Sequence, residues 1–429
     1  MRTVAFHTLG CKVNQYDSQA MLEIFERASY TLRDFNERAD VYVVNTCTVT
    51  GTGDKKSLQA VRRALRLNPA ADVVIAGCLA QRDGEKLLST GARLVIGNAR
   101  RAEVVRLLED AIEKGERVAA VSDVLRVPYE PLFISQHEGH TRAVLKIQEG
   151  CDRYCTYCII PYVRGGIRSR APEAIAAEAK RLAAAGFSEL VLTGIHLTSY
   201  GRDLPNATLL DAVRACDVPG ISRIRLGSLE PVIVTADFSA RLAEEKKLCP
   251  QFHLALQSGS DSVLQRMRRR YTTDEFRRAC ALLRAAFPGC AVTTDVICGF
   301  PGETEAEFQE TLAFCREIGF ARMHVFPYSA RQGTKAAVMP GQVPKAVREE
   351  RTRRLIAVGE ELSRAFREQM VGRIYDVLAE ESAGSDARGY TPQYVDCVYP
   401  DGVPGRTDSV RITGLTEDGV RGARAGSAS

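Results

Sequence analysis

Short apolar runs alternate with stretches of helical periodicity through most of the chain. Runs at 3–6, 41–44, 73–76 and 94–96 are too short for helices and read as buried strands. Over 15–28, 57–67 and 101–114 apolar positions recur every three or four residues, which predicts helices packed through one face. Strand and helix in alternation predict an open parallel α/β sheet, because parallel neighbours need a long crossover and a helix supplies it. Residues 118–140 show little periodicity, hold Pro128 and Pro131, and read as a linker. Alternation then resumes, with strands at 143–147, 190–192, 223–226, 252–256, 291–297 and 322–326. Helices are expected at 172–185, 209–216, 238–245, 262–267, 274–286 and 305–318. Six strands and the helices between them predict an incomplete (β/α)6 barrel, whose functional loops would gather at the strand C-termini. A long charged helix over 345–370 leads to short strands at 373–383, 391–399 and 409–413, divided by Gly and Pro, which predicts a small β-barrel. The domains expected are therefore 1–125, 137–368 and 371–429.

Three of the N-terminal strands end alike, at Cys11, Cys47 and Cys78. Ligands of open α/β sheets bind in the crevice beyond the carboxyl ends of the strands. Any one such Cys reads equally well as a buried small residue. Three in the same topological position argue for a joint site.

The densest chemistry lies just after the first barrel strand, where Cys151, Cys155 and Cys158 form Cys-x-x-x-Cys-x-x-Cys. Closely spaced thiolates of this kind hold iron–sulfur clusters, most of which take four protein ligands. The next Cys is Cys216, so a cubane on this loop would keep one iron free for an outside ligand. A closed zinc site wants four ligands, usually as two separated pairs, which are missing here. The other strand ends carry small and polar residues: Gly194, Ser228 with Glu230, Gln257, and the run 298–303. Such residues admit a ligand to the backbone or hydrogen-bond it, although Gly and Ser also serve turns. His196 and Cys298 read as structural.

Composition narrows the setting. Of 429 residues, 45% are apolar and 26% charged, as in ordinary soluble proteins. No run approaches the apolar length of a membrane span, and no signal peptide is legible at the start. Thirteen Cys then point to a reducing cytoplasm, with some thiols as metal ligands. The net charge of +5 permits a polyanionic partner. Positive charge concentrates at 141–170, six Lys/Arg against two Asp/Glu, whereas 372–429 holds six Arg against nine acids. Arg164, Arg168 and Arg170, beside the cysteine loop, are the expected phosphate contacts.

The cysteine loop, with Tyr157 before its last Cys, resembles the signature of radical S-adenosylmethionine (SAM) enzymes. The resemblance implies that the open iron binds SAM and that the reduced cluster cleaves it to a 5′-deoxyadenosyl radical. It also implies that Gly194, Ser228, Glu230 and Gln257 cradle SAM and that Tyr157 shields the cluster, although Thr193-Gly194-Ile195 replaces the usual Gly-Gly-Glu. The longer run from Gly150 to Arg168, with Cys-Ile-Ile-Pro-Tyr-Val-Arg-Gly inside it, resembles the methylthiotransferase branch. In that branch three N-terminal cysteines bind a second, auxiliary 4Fe–4S cluster, which would be the role of Cys11, Cys47 and Cys78. Thr8 to Asp17 resembles the branch's opening motif, and Gly389 to Val395 its C-terminal RNA-binding TRAM domain.

Segments 10–17, 193–201, 226–231 and 323–329 resemble the sub-branch acting on N6-threonylcarbamoyladenosine at position 37 of tRNA. The resemblance implies one SAM as methyl donor to sulfur at the auxiliary cluster and another as radical source for attack at adenine C2. Partners would be a tRNA anticodon loop and an electron donor of flavodoxin or ferredoxin type, with no membrane. Methylthiolation of isopentenyladenosine or of a ribosomal-protein aspartate are the enzymatic alternatives. A non-enzymatic RNA-binding protein would have no need of six ligand-placed cysteines.

Overall fold

The computed structural model describes residues 2–125, 127–136 and 140–426. The N-terminal sheet is fully parallel, in the order Thr31–Arg33, Thr3–Thr8, Val41–Thr46, Asp72–Gly77, Leu94–Ile96, Val118–Ala120. Its middle strands Val41–Thr46 and Asp72–Gly77 are buried along their whole length, as strands covered on both faces must be. Helices Lys12–Arg27 and Val104–Glu113 cover one face, and Gly51–Leu67 and Cys78–Asp83 the other. The strand order reverses between Thr3–Thr8 and Val41–Thr46, where the connections leave in opposite directions and open a crevice.

Two of the six strands escape the periodicity. Thr31–Arg33 is a three-residue edge strand of mostly exposed residues. Val118–Ala120 pairs with Leu94–Ile96, so the stretch read as linker from 118 onward begins as the last strand of the sheet.

Six further parallel strands form the barrel. Arg142–Lys146, Glu189–Thr193 and Arg223–Leu226 make one ladder, and Gln251–His253, Ala291–Cys298 and Arg322–Pro327 a second. Single parallel bridges, Ile224 to Leu248 and Leu229 to Leu254, join the two across the third and fourth strands. The fourth strand is shorter than expected because the chain leaves the ladder after His253. The outer helices start on recognisable signals: Pro172 opens Pro172–Ala184, and Thr272 and Thr304 form capping boxes with Glu275 and Glu307. Helix Lys345–Glu368 buries Leu355 and Val358 against the barrel core.

The C-terminal domain is a closed five-stranded barrel, Ile374–Ala383, Asp386–Tyr390, Asp396–Pro400, Val420–Arg424 and Thr407–Leu415 in spatial order. Asp386–Tyr390 and Val420–Arg424 were not anticipated, and 391–395 is a turn with Tyr394 at φ 64° in place of the expected strand.

The first sheet is joined to the barrel by buried ion pairs that cross between them. Asp17, Arg101 and Glu130 meet Lys146, Glu149 and Arg164 in a network buried from solvent, three cations against three carboxylates. Tyr16 adds a hydrogen bond of 3.0 Å to the buried Glu178 of the barrel.

Candidate active site

Both cysteine triads lie at strand C-termini, and Cys11 lines the same cavity as Cys151, Cys155 and Cys158. In the barrel, Gly150 (φ 74°) makes the turn out of the first strand; a Cβ there would stand 1.8 Å from the carbonyl oxygen of Gly166. The Cys151 amide then donates to Gly165 O (2.9 Å), Thr156 N to Met267 O (3.1 Å), and Cys158 N to Cys155 O (2.9 Å). These bonds hold the loop so that Cys151, Cys155 and Cys158 line one cavity. Nη1 of Arg269 donates to the Cys155 sulfur at 3.3 Å. Tyr157 meets Phe300 edge-on, with centroids 6.5 Å apart.

Across the crevice, Cys11 caps helix Lys12–Arg27, Cys47 follows strand Val41–Thr46, and Cys78 opens helix Cys78–Asp83. A Cβ on Gly10 would lie 3.0 Å from the Cys47 sulfur, so only glycine lets the first loop pass so close to the second. The three sulfurs are electrostatic neighbours: burial pushes Cys47 up to about 11, and Cys78 and Cys11 push it further the same way. Cys78 accepts from Nε of Arg164 at 3.2 Å and from Nδ2 of Asn98 at 3.8 Å.

The donor set suits a cluster better than a single ion. Among the described residues no three His, Cys, Asp or Glu side chains stand close enough to hold one metal ion. A four-iron cube spreads its corners, so its ligands stand further apart than those of one ion. Each triad also brings a guanidinium to one sulfur, a cationic donor suited to thiolate bound to iron. Raised thiol pKa values do not mark out the triads, because burial pushes Cys216 and Cys298 up to about 12 as well.

The cavity has a volume of about 1360 Å³ and is walled by all three domains. Cys11, Gly194, Ser228, Glu230 and Gln257 line it beside the barrel triad. Glu230 is its most strongly held group. Arg153 (3.0 Å), His196 (3.1 Å) and Arg269 (2.9 Å) converge on its carboxylate. Burial pushes the carboxyl up, but the His196 hydrogen bond and the charges of Arg269 and Arg153 bring it down to about 2. Gln257 adopts φ 68°, an uncommon conformation for a residue with a side chain, and its backbone bridges Val296. A Cβ on Gly194 would stand 2.8 Å from the Gln148 side chain, so packing alone requires glycine there.

The arginines expected to meet phosphates do not face solvent. Arg164, Arg168 and Arg170 are 0, 7 and 6% exposed. Arg164 binds Glu149 (2.9 Å), Asn14 and Cys78. Arg168 donates to the Arg164 carbonyl (2.5 Å), and Arg170 pairs with Glu178. Buried carboxylates claim Arg164 and Arg170 and a backbone carbonyl claims Arg168, which a count of local charge does not register. Arg153, Arg269 and His196 were passed over in turn. His196, read from the sequence as structural, contacts Glu230, and so does Arg269.

A Cys-x-x-x-Cys-x-x-Cys loop at the mouth of an incomplete (β/α)6 barrel defines a radical SAM enzyme, and comparisons with known proteins agree. Residues 145–315 match the radical SAM superfamily, and residues 3–97 match the family described as uncharacterized protein family UPF0004. The threonylcarbamoyladenosine tRNA methylthiotransferase MtaB of Bacillus subtilis is 43% identical over 408 residues, 93% of this chain and 90% of that protein. The protein of the same name from Thermotoga maritima is 36% identical over 99% of this chain and 98% of its own length. The tRNA-2-methylthio-N(6)-dimethylallyladenosine synthase of a Parafrankia species is 38% identical over 89% of this chain and 79% of its own. Among solved structures, the radical SAM methyltransferase TsrM of Kitasatospora setae shares the fold, with TM-score 0.57 at 15% identity over 79% of this chain and 77% of that one. The chain belongs to the radical SAM methylthiotransferase family. Membership of the superfamily brings with it SAM and a 4Fe–4S cluster. No helix among the described residues is long and apolar enough to cross a membrane.

Proposed function

We propose that this chain methylthiolates C2 of N6-threonylcarbamoyladenosine at position 37 of tRNA, with 4Fe–4S clusters on both triads. The observation that carries the reading is the pair of cysteine triads, each with its own arginine donor, with Cys11 of one lining the same cavity as Cys151, Cys155 and Cys158 of the other. The relatives named for the threonylcarbamoyl substrate, at 35–43% identity, support the choice of adenosine. Bound here, the clusters and SAM supply radical formation and the methylthio group, which is chemistry no side chain can perform.

The protein's own part is placement. Cys151, Cys155 and Cys158 hold the barrel cluster, and Cys11, Cys47 and Cys78 the auxiliary one. Glu230, kept anionic by Arg153, His196 and Arg269, offers a fixed acceptor to the ribose or amino group of SAM. Gln257 and the backbone at Gly194 and Ser228 complete that cradle. The target adenine leaves its stack to enter the cavity, as base-modifying enzymes generally require, and an anticodon loop offers such a base. Reducing equivalents come from a small electron-transfer protein of flavodoxin or ferredoxin type.

Anaerobic reconstitution followed by single substitutions tests this. Wild-type protein should bind about eight iron atoms if both triads hold cubanes. Cys155→Ala should abolish SAM cleavage to 5′-deoxyadenosine. Cys47→Ala should retain cleavage and lose methylthio transfer to threonylcarbamoylated tRNA, read by nucleoside mass spectrometry. Saturation at half the iron, with Cys11, Cys47 and Cys78 open to alkylation, would remove the auxiliary cluster from the proposal. Transfer only to isopentenyladenosine or to a ribosomal protein would refute the substrate.

A further inference from the structure

One end of the cavity is cationic, and the chemistry above leaves it unassigned. Lys12 follows Cys11 directly and lines the cavity. Its ammonium lies 6.0 Å from the ring centroid of Tyr394, and no carboxylate pairs with it among the described residues. Tyr394 stacks on Tyr390, with centroids 4.7 Å apart and planes at 21°. The guanidinium of Arg142 lies 4.8 and 4.9 Å from these two rings, and that of Arg225 lies 4.8 Å from Tyr394. Arg142 is bound by Glu380, while Arg225 (2.9 Å) and Arg223 (3.5 Å) share Glu189. Four cations thus meet two carboxylates, and the surplus faces the cavity at Lys12. Tyr394 registers that field. Burial pushes its hydroxyl up, yet the charges of Arg142, Lys12 and Arg225 bring it below the ordinary tyrosine value. Burial raises Tyr16, Tyr157 and Tyr271 without such a reversal.

We propose that Lys12, backed by Arg142 and Tyr394, is an anion subsite that takes the carboxylate on the N6 arm of the substrate adenine. This rests on the function proposed above and specifies how the arm is read. C2 and C6 flank N1 in the six-membered ring of adenine, so the C2–H bond and the N6 arm diverge as meta substituents do. A base that offers C2 to the thiol-lined part of the cavity therefore carries its N6 arm to one side of that part, toward the C-terminal barrel that carries Tyr390 and Tyr394. Lys12 spans that interval, because its backbone adjoins Cys11 and its ammonium faces Tyr394. A threonylcarbamoyl arm ends in a carboxylate and a hydroxyl, whereas a dimethylallyl arm is hydrocarbon. A threonylcarbamoyl carboxylate gives this ammonium a partner, whereas a dimethylallyl arm offers it none, so Lys12 favours the first. The same ammonium suits a backbone phosphate, so the test separates the two sources of anion.

Fluorescence anisotropy of anticodon stem-loop RNAs on the full-length, cluster-reconstituted protein gives the readout. The RNAs carry threonylcarbamoyladenosine, dimethylallyladenosine or plain adenosine at the reacting position. Wild-type protein should bind the threonylcarbamoyl RNA most tightly. Lys12→Met should weaken that RNA by about ten- to a hundred-fold, the range of a hydrogen bond to a charged group, and leave plain-adenosine RNA within about two-fold. Lys12→Arg, which keeps the cation, should restore most of the preference, and iron content should stay at the wild-type level in both variants. Equal weakening of all three RNAs would place Lys12 on a phosphate and overturn the proposal, as would an unchanged preference in Lys12→Met. If wild-type protein shows no preference for the threonylcarbamoyl RNA, the substrate reading itself fails, which is a different result from loss of the Lys12 effect.

Discussion

Replacing Arg101 with Met asks how much of the molecule's cohesion rests on the charges between the first sheet and the barrel. Arg101 is 1% exposed and donates to Glu130 (2.8 Å), to the Asn98 carbonyl (2.8 Å) and to Asp17, with Glu149 at 3.4 Å. Methionine retains most of the stem's apolar packing and removes the charge. Three cations against three carboxylates become two against three, and Glu130 loses its guanidinium. Removing one member of a buried pair costs roughly 3–5 kcal/mol, because the remaining charge stays desolvated. At about 2–4 °C per kcal/mol for a body of 150–250 residues, the expected fall in Tm is about 6–20 °C. Calorimetry and circular dichroism on metal-free protein measure it, and none of the Arg101 hydrogen bonds described goes to a cysteine. A chain of several domains need not melt in one step, so the shift belongs to the transition that reports both sheet and barrel. Arg364→Ala is the control. It breaks an exposed pair with Glu368 (71 and 54% exposed), for which well under ~1 kcal/mol is expected. A shift for Arg101→Met no larger than the control's would refute the idea that this network holds the two domains together.

Other perturbations have equally definite outcomes. Gly150→Ala combines a left-handed backbone with a Cβ at 1.8 Å from Gly166 O, so it should displace the cysteine loop and cut iron binding by about half, whereas Gly115→Ala (φ 67°, open space) should leave iron binding intact. Glu230 sits at about 2, so its ionisation stabilises the fold above the unfolded value near 4.3 and that contribution is lost as pH falls toward 2. Wild-type protein should therefore lose more stability than Glu230→Gln between pH 5 and pH 3 in urea titrations, and parallel profiles would count against the reading. Arg269→Met removes the donor to the Cys155 sulfur and one partner of Glu230, and should lower the reduction potential of the barrel cluster while leaving iron content unchanged, as followed by redox-poised electron paramagnetic resonance.

Much of the architecture was legible because burial leaves a period. Strands Val41–Thr46 and Asp72–Gly77 are buried throughout and read as apolar runs, and the capping boxes at Thr272 and Thr304 lie where the helices begin. Thr31–Arg33 was not legible, because an edge strand of exposed polar residues has no period to show. Cys11, Cys47 and Cys78 could be grouped from topology alone, since strands of one parallel sheet deliver their C-termini to the same side. The failure at Arg164, Arg168 and Arg170 has the opposite cause. Their charge is local in sequence, but the fold aims Arg164 at Glu149 and at Asp17 of the first domain, Arg168 at a backbone carbonyl and Arg170 at Glu178. Tyr394 was hidden in the same way, as part of an expected strand that the chain spends on a left-handed turn facing the barrel.

The buried charge lattice between sheet and barrel also has a consequence for synthesis on the ribosome. Residues 1–125 emerge first, carrying Asp17 and Arg101 but none of Glu130, Lys146, Glu149 or Arg164. Until the first barrel strand and the cysteine loop follow, the nascent sheet carries only two of the network's six charged groups, Asp17 and Arg101. Its final packing is thus deferred to the arrival of the segment that brings Cys151, Cys155 and Cys158.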